Sequence, residues 1–128
     1  MRVRHVGLSC RSEENADRFY EKFLGLKKLE RKMLPAELSE ALFHINSELV
    51  MLNYLGDALH FEIFIRDKDG GTTSPMAHVC FEVGDLDAFL KRCAMMNVSL
   101  LRVAKGADWI TFIRDYDGNL FEIKETRA

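Results

Sequence analysis

Apolar and polar residues alternate along much of the chain, which predicts a fold of many short strands and few helices. Residues 2–10 alternate with a period of two and predict a half-buried strand. Apolar residues at three- and four-residue steps after Ser12 predict a helix with Ser12 as its N-cap and Gly25 just beyond its end. Residues 26–34 predict a second strand, and Pro35 begins a short predicted helix that ends near residue 43.

The next residues complete the first half of the chain, and a similar series of elements follows a linker. Residues 49–55 and 58–65 predict a hairpin around Gly56 and Asp57, and residues 67–76 are rich in turn formers and predict a linker. After the linker we expect a strand, a helix capped by Asp85 and three more strands. These elements are predicted at residues 78–83, 85–96, 98–103, 109–114 and 120–125.

Both halves of the chain therefore have the same order of elements: a strand, a helix and three strands. Each half opens with His-Val, at His5 and His78, and each closes with Phe-Glu-Ile, around Glu62 and Glu122. This agreement indicates an internal duplication. The expected organisation is one compact domain with a first βαβββ module at 1–66, a linker at 67–76 and a second βαβββ module at 77–128.

The alternation also separates two groups of residues within each strand. His5, Glu62, His78 and Glu122 lie on the strand faces opposite the apolar residues, because side chains two apart share a face. The apolar face would bury against the helices, and the four polar side chains would point into a cavity. Two imidazoles and two carboxylates suit Zn²⁺, Ni²⁺, Co²⁺, Mn²⁺ or Fe²⁺ and do not select among them. His60 shares the face of Glu62 and is either a supporting partner or an alternative ligand.

Composition excludes several classes of function. The chain has 128 residues, a net charge of -2 and no basic run interleaved with aromatic residues, so a nucleic-acid partner is not expected. No apolar run approaches the roughly 18 residues of a membrane span, and no signal peptide is evident at the start. We therefore expect a cytoplasmic protein without membrane partners. Cys10, Cys80 and Cys93 are scattered, as expected for reduced thiols.

Three motifs resemble signatures of the vicinal oxygen chelate superfamily. They are His-Val-Gly-Leu at 5–8, Phe-Tyr-x-x-x-Leu-Gly-Leu at 19–26 and Asp-x-Asp-Gly-Asn-x-x-Glu-Ile at 115–123. This superfamily includes glyoxalase I, bleomycin and fosfomycin resistance proteins, methylmalonyl-CoA epimerase and extradiol dioxygenases. The resemblance covers nearly the whole chain. It implies an α+β glyoxalase-like fold, in which two βαβββ modules form a curled mixed sheet round a central cavity, and a homodimer.

Within this superfamily the chain is most similar to the glyoxalase I branch. That branch holds a divalent metal with His, Glu, His and Glu at places that match His5, Glu62, His78 and Glu122. The resemblance implies a lactoylglutathione lyase-like lyase or isomerase acting on a small molecule, in which the metal polarises a carbonyl and acidifies the adjacent C–H. A glutamate would then move the proton, with Glu122 as the first candidate and Glu62 as its counterpart.

Other activities on the same scaffold stay open. Ser9 stands where similar bacterial glyoxalases carry an arginine, and the asparagine that they carry near Arg66 is missing; both residues serve glutathione in those enzymes. An extradiol dioxygenase would need Fe²⁺ or Mn²⁺ in an open three-ligand site, with Glu62 off the metal. An epimerase typically has Gln as its second ligand, and antibiotic-binding resistance proteins often lack the ligands. Metal storage or a structural dimer role is a further alternative.

Overall fold

The structure is a computed structural model that describes residues 1–67 and 75–127. The chain divides into two compact units, Met1–Gly70 and Gly71–Ala128. Most of the predicted linker lies outside the described residues, so the module limits 1–66 and 77–128 stay predictions. Among the helices of the described residues, none is both long enough and apolar enough to span a membrane.

The first unit is built on a five-stranded mixed sheet. Its strand order is β1-β5-β4-β2, with β3 also pairing with β4; β1 runs parallel to β5, and the other pairs are antiparallel. The elements are β1 (Val6–Cys10), α1 (Glu13–Ala16) continued by a π-helical segment (Asp17–Phe23), β2 (Lys27–Lys28), β3 (Lys32–Leu34), α2 (Ala36–Phe43), β4 (Leu49–Leu55) and β5 (His60–Ile65).

The second unit has the same topology in a four-stranded sheet. Its strand order is β6-β9-β8-β7, in which β6 runs parallel to β9 and the hairpins are antiparallel. The elements are β6 (Val79–Val83), α3 (Leu86–Met95), β7 (Ser99–Lys105), β8 (Asp108–Arg114) and β9 (Leu120–Glu125). The duplicated βαβββ order and the α+β fold class are therefore confirmed.

Several predicted strands differ in extent from the structure by one or two residues, and two of them differ by more. β1 begins at Val6 rather than Arg2, because Val6 pairs with Phe61 and β5 itself begins only at His60. The predicted strand 26–34 is interrupted, since the chain leaves the ladder between β2 and β3. There the backbone N–H of Leu29 still donates to the carbonyl of Asn53 at 2.8 Å. The helix predicted from Pro35 is confirmed, with Pro35 as the residue before its first turn.

The first helix begins where the sequence predicts but changes its winding. The Ser12 hydroxyl accepts from the backbone N–H of Asn15 at 3.1 Å, as an N-cap does. After Ala16 the helix widens to π geometry, and Gly25 ends it with a φ of 76°. This winding buries the consecutive residues Phe19 and Tyr20 together. The three- and four-residue steps of the sequence predict the burial of both residues, but they do not predict the π winding.

Aromatic residues of the apolar strand faces form the core of each unit. In the first unit the ring of Tyr20 lies 5.1 Å from that of Phe61 and 5.5 Å from that of Tyr54. In the second unit the rings of Phe81 and Phe121 stack at 4.9 Å. Glutamates adjacent to Phe61 and Phe121 face the other side of each sheet and are only half-buried. The predicted division of each strand into a core face and a polar face is therefore confirmed.

A charged network ties the first helix to the sheet. The Lys28 ammonium lies 2.6 Å from Glu13 and 2.9 Å from Asp17, and the Tyr54 hydroxyl donates to Asp17 at 2.8 Å. Burial, and then the hydrogen bond to Asp17, raise the pKa of Tyr54 above its ordinary value of 10.0. The folded protein therefore favours the neutral phenol of Tyr54. The stability that this phenol contributes is present below pH 10.0 and is lost as the pH rises above that value.

We therefore expect Tyr54→Phe to lower the free energy of unfolding by about 1–2 kcal/mol at neutral pH, through loss of the bond to a carboxylate. The variant should also lose less stability than the wild type at alkaline pH. Urea unfolding on both sides of pH 10.0 measures both effects. Tyr116→Phe is the control, because it removes a hydroxyl bonded to the Met96 carbonyl and keeps Tyr54. Equal alkaline losses in the wild type and Tyr54→Phe would contradict this role.

Candidate metal centre

The first unit brings His5 and Glu62 together. His5 lies just before β1, and Glu62 lies in the middle of β5, where its register partner on β1 is Gly7. His5 Nε2 is 3.8 Å from Glu62 Oε2, and the Glu62 side chain is 22% exposed. The parallel pairing of the two strands thus places an imidazole and a carboxylate side by side on the polar face of this sheet.

The second unit repeats this pair with the same geometry. His78 Nε2 lies 3.7 Å from Glu122 Oε1, and the Glu122 side chain is also 22% exposed. Here the register partner of Glu122 on β6 is Cys80, at the place of Gly7. Two parallel strand pairs therefore present equivalent His–Glu pairs, as the repeated sequence predicts.

The spacing within each pair is too long for a hydrogen bond and is compatible with a shared ion. Both N···O distances exceed the roughly 3.2 Å limit of a good hydrogen bond. Ligand atoms about 2.0–2.1 Å from a tetrahedral ion would lie about 3.3 Å apart, so small side-chain rotations suffice. Among residues 1–67 and 75–127, no group of three or more His, Cys, Asp or Glu side chains forms a metal site. The four-residue site therefore stays a prediction, and each unit supplies a pair.

The orientation of His78 supports a role as a ligand. Its Nδ1–H donates to the backbone carbonyl of Met76 at 2.8 Å, which leaves the lone pair on Nε2, the atom nearest Glu122. Metal-ligating histidines are typically held by such a bond to the other ring nitrogen. The ring also packs edge-on against Phe112, with centroids 5.3 Å apart. Sequence patterns missed Met76, although a carbonyl two residues before the histidine is a local feature.

His60 and Asn53 add a second polar pair to the first unit. His60 Nε2 is 2.8 Å from Asn53 Oδ1, and the His60 ring centroid lies 5.6 Å from that of His5. A cleft of about 540 Å³ is lined by these residues together with others of the polar face. Its lining comprises Arg4, His5, Leu29, Glu30, Lys32, Met51, Asn53, His60 and Glu62. The sequence alone does not identify Asn53, because only the observed β4–β5 register places it opposite Glu62.

Other candidate residues have structural roles. Desolvation, and then the adjacent Glu122 carboxylate, raise the pKa of the Cys80 thiol, so that it stays protonated at neutral pH. Burial raises the pKa of the Cys93 thiol to about 11. The Asp115 carboxylate accepts from the backbone N–H groups of Asp117 and Asn119 and so stabilises a tight turn. Cys10, Cys80 and Cys93 form no disulfide bond, as predicted.

The fold is similar to that of several solved proteins. Three solved structures illustrate the similarity. A glyoxalase family protein from Bacillus cereus is 17% identical over 100% of this chain and 95% of its own, with a TM-score of 0.76. A glyoxylase/bleomycin resistance protein/dioxygenase domain from Frankia is 23% identical over 99% and 98% of the two chains, with a TM-score of 0.72.

The third structure is a variant of the fosfomycin resistance protein FosX from Listeria monocytogenes, in complex with Mn(II) and 1S,2S-dihydroxypropylphosphonic acid. It is 14% identical over 98% of this chain and 93% of its own, with a TM-score of 0.73. No curated protein matches the sequence. The family model of the Glyoxalase/Bleomycin resistance protein/Dioxygenase superfamily matches residues 2–123, almost the whole of the βαβββ repeat, and the chain therefore belongs to that superfamily.

Proposed function

We propose that the protein is a metal-dependent lyase or isomerase that acts on a small carbonyl compound. In this proposal His5, Glu62, His78 and Glu122 together bind one divalent ion, within one chain or across a homodimer. The observation that carries the proposal is the repeated His–Glu pair, at 3.8 Å in the first unit and 3.7 Å in the second. A His–Glu pair at equivalent positions in both halves is the arrangement expected if the two pairs hold one ion.

The side chains have distinct roles in this reaction. A bound divalent metal would supply Lewis acidity that polarises the carbonyl of the substrate. The Glu122 carboxylate, half-buried and beside His78, would take a proton from the adjacent carbon and return it. Glu62 is placed equivalently in the first unit and would serve the opposite face of the substrate. The Met76 carbonyl would keep the His78 ring oriented toward the ion.

Fosfomycin resistance is a second candidate function. The Listeria protein of the same fold binds Mn(II) and a phosphonate. In the present chain Arg4 and Lys32 line the cleft beside His5, where their charges would pair with an anionic phosphonate. Glutathione recognition receives less support, because Ser9 replaces the arginine that the similar bacterial glyoxalases use.

The test begins with elemental analysis of protein purified without chelator, followed by turnover assays. We expect a bound divalent metal and conversion of the adduct of methylglyoxal with a small thiol. Conversion should be lost in Glu122→Gln and kept in Glu82→Gln, which alters an exposed glutamate of β6. Absence of any bound metal near neutral pH would overturn the proposal. Metal without turnover would exclude the glyoxalase reaction and direct the assay to fosfomycin.

A further inference from the structure

We propose that His60, held by Asn53, is a specificity residue that accepts a hydrogen bond from a hydroxyl group of the substrate. The inference rests on the proposed function, since it places the substrate beside a metal held by His5 and Glu62. It adds a substrate class to that function: small metal-chelating compounds that carry a hydroxyl group next to the chelating oxygens.

The hydrogen bond between His60 and Asn53 determines which nitrogen of the His60 ring can accept a hydrogen bond. Asn53 Oδ1 can only accept, so the proton of the neutral His60 ring lies on Nε2, 2.8 Å from that oxygen. Nδ1 is then the acceptor of the ring. Asn53 is 7% exposed and lies within β4, so its side chain holds the His60 ring against the sheet. Among the described residues, no hydrogen-bonding partner of His60 Nδ1 is found.

His60 lies where its Nδ1 atom could contact the proposed substrate. His60 and Glu62 lie two residues apart on β5 and so share a face of the sheet. The His60 ring lies 5.6 Å from the ring of His5, and all three side chains line the same cleft of about 540 Å³. A small molecule bound at the His5–Glu62 pair would therefore lie within reach of His60.

The duplication provides an internal comparison. Asn53 is the register partner of Glu62, and Phe112 is the register partner of Glu122 at the equivalent place. His60 begins β5 two residues before its glutamate, as Leu120 begins β9. In the second unit, Phe112 and Leu120 therefore stand where the first unit has Asn53 and His60. The repeated strand pairing and the repeated His–Glu pair are thus found in the second unit with apolar residues at these two places, which supports a role in ligand recognition for the His60–Asn53 pair.

Two hydroxamates test the inference directly. Acetohydroxamate and glycolohydroxamate both chelate metals through two vicinal oxygens, and only glycolohydroxamate carries an additional hydroxyl. Calorimetric titration of the Mn²⁺-loaded protein should give a Kd about three- to tenfold lower for glycolohydroxamate, as one neutral hydrogen bond provides. His60→Leu, which introduces the residue of the second unit, should bring the ratio of the two Kd values close to one. Leu120→Ala is the matched control and should keep the preference.

The outcomes separate this inference from the proposed function. Equal affinities for both hydroxamates in the wild type, or an unchanged preference in His60→Leu, would overturn the role of His60 and leave the metal site intact. Failure of both compounds to bind the Mn²⁺-loaded protein would overturn the proposed function and this inference together. The ¹⁵N NMR spectrum of the wild-type imidazoles gives a test that needs no variant. A His60 proton on Nε2 is expected, and a proton on Nδ1 would refute the inference.

Discussion

Replacing Glu122 by glutamine is expected to lower the affinity for Mn²⁺ by more than about a hundredfold and to abolish turnover. The substitution keeps the size of the side chain and removes the negative charge 3.7 Å from His78 Nε2, so that a neutral amide oxygen replaces a carboxylate. Loss of a supporting residue around a metal already costs about 10–100-fold in affinity, and loss of a ligand should cost more. Equilibrium dialysis against Mn²⁺ measures this change.

The same substitution should have little effect on the stability of the metal-free protein. Glu122 is on the polar face of β9 and outside the apolar core, so we expect the free energy of unfolding to change by less than about 0.5 kcal/mol. Added Mn²⁺ should raise the melting temperature of the wild type and of Glu82→Gln, but not that of Glu122→Gln. Wild-type affinity for Mn²⁺ in Glu122→Gln would show that this carboxylate is not a ligand.

Replacing Phe61 by alanine is expected to lower the stability of the protein strongly, in contrast to Glu122→Gln. Phe61 is 1% exposed, and its ring lies 5.1 Å from that of Tyr20 in the core of the first unit. Removing a buried phenyl ring costs about 3–5 kcal/mol through lost burial and the cavity left behind. This is a large part of the roughly 5–15 kcal/mol that stabilises a typical domain. Urea unfolding should show the loss.

Leu59→Ala is the matched control for this prediction. Leu59 is 37% exposed just before β5, so its truncation should cost much less than that of Phe61. Similar costs for both substitutions would contradict the assigned core. Phe61 and Glu62 are neighbours in the chain, yet we expect one to determine stability and the other to determine metal affinity.

The separation of core residues such as Phe61 from polar-face residues such as Glu62 was predictable from the sequence, because strand alternation is a local property. The faces of Glu62 and Glu122 followed from the apolar residues on either side of each, and the paired order of elements followed from the repeat. The π-helical winding after Ala16 was not predictable from a period of 3.6 residues. The break between β2 and β3 depends on pairing with β4, which is remote in sequence.

The supporting residues of the site were harder to predict than its ligand candidates. Asn53 contacts His60 only because the β4–β5 register places it beside that strand, and nothing in its immediate sequence marks it. Met76 acts through its backbone carbonyl, so its residue type carries no signal. His60 was recognised from its spacing to Glu62. The bond to Asn53, which defines its chemistry, required the fold.

We propose that the two His–Glu pairs share one metal ion, and the number of ions bound tests this most directly. Titration of the metal-free protein with Mn²⁺, followed by electron paramagnetic resonance of the free ion, measures the number of ions bound per chain. The account predicts one ion per chain, and loss of this binding in either His5→Ala or His78→Ala. Two ions per chain, or wild-type affinity in either variant, would contradict a shared site.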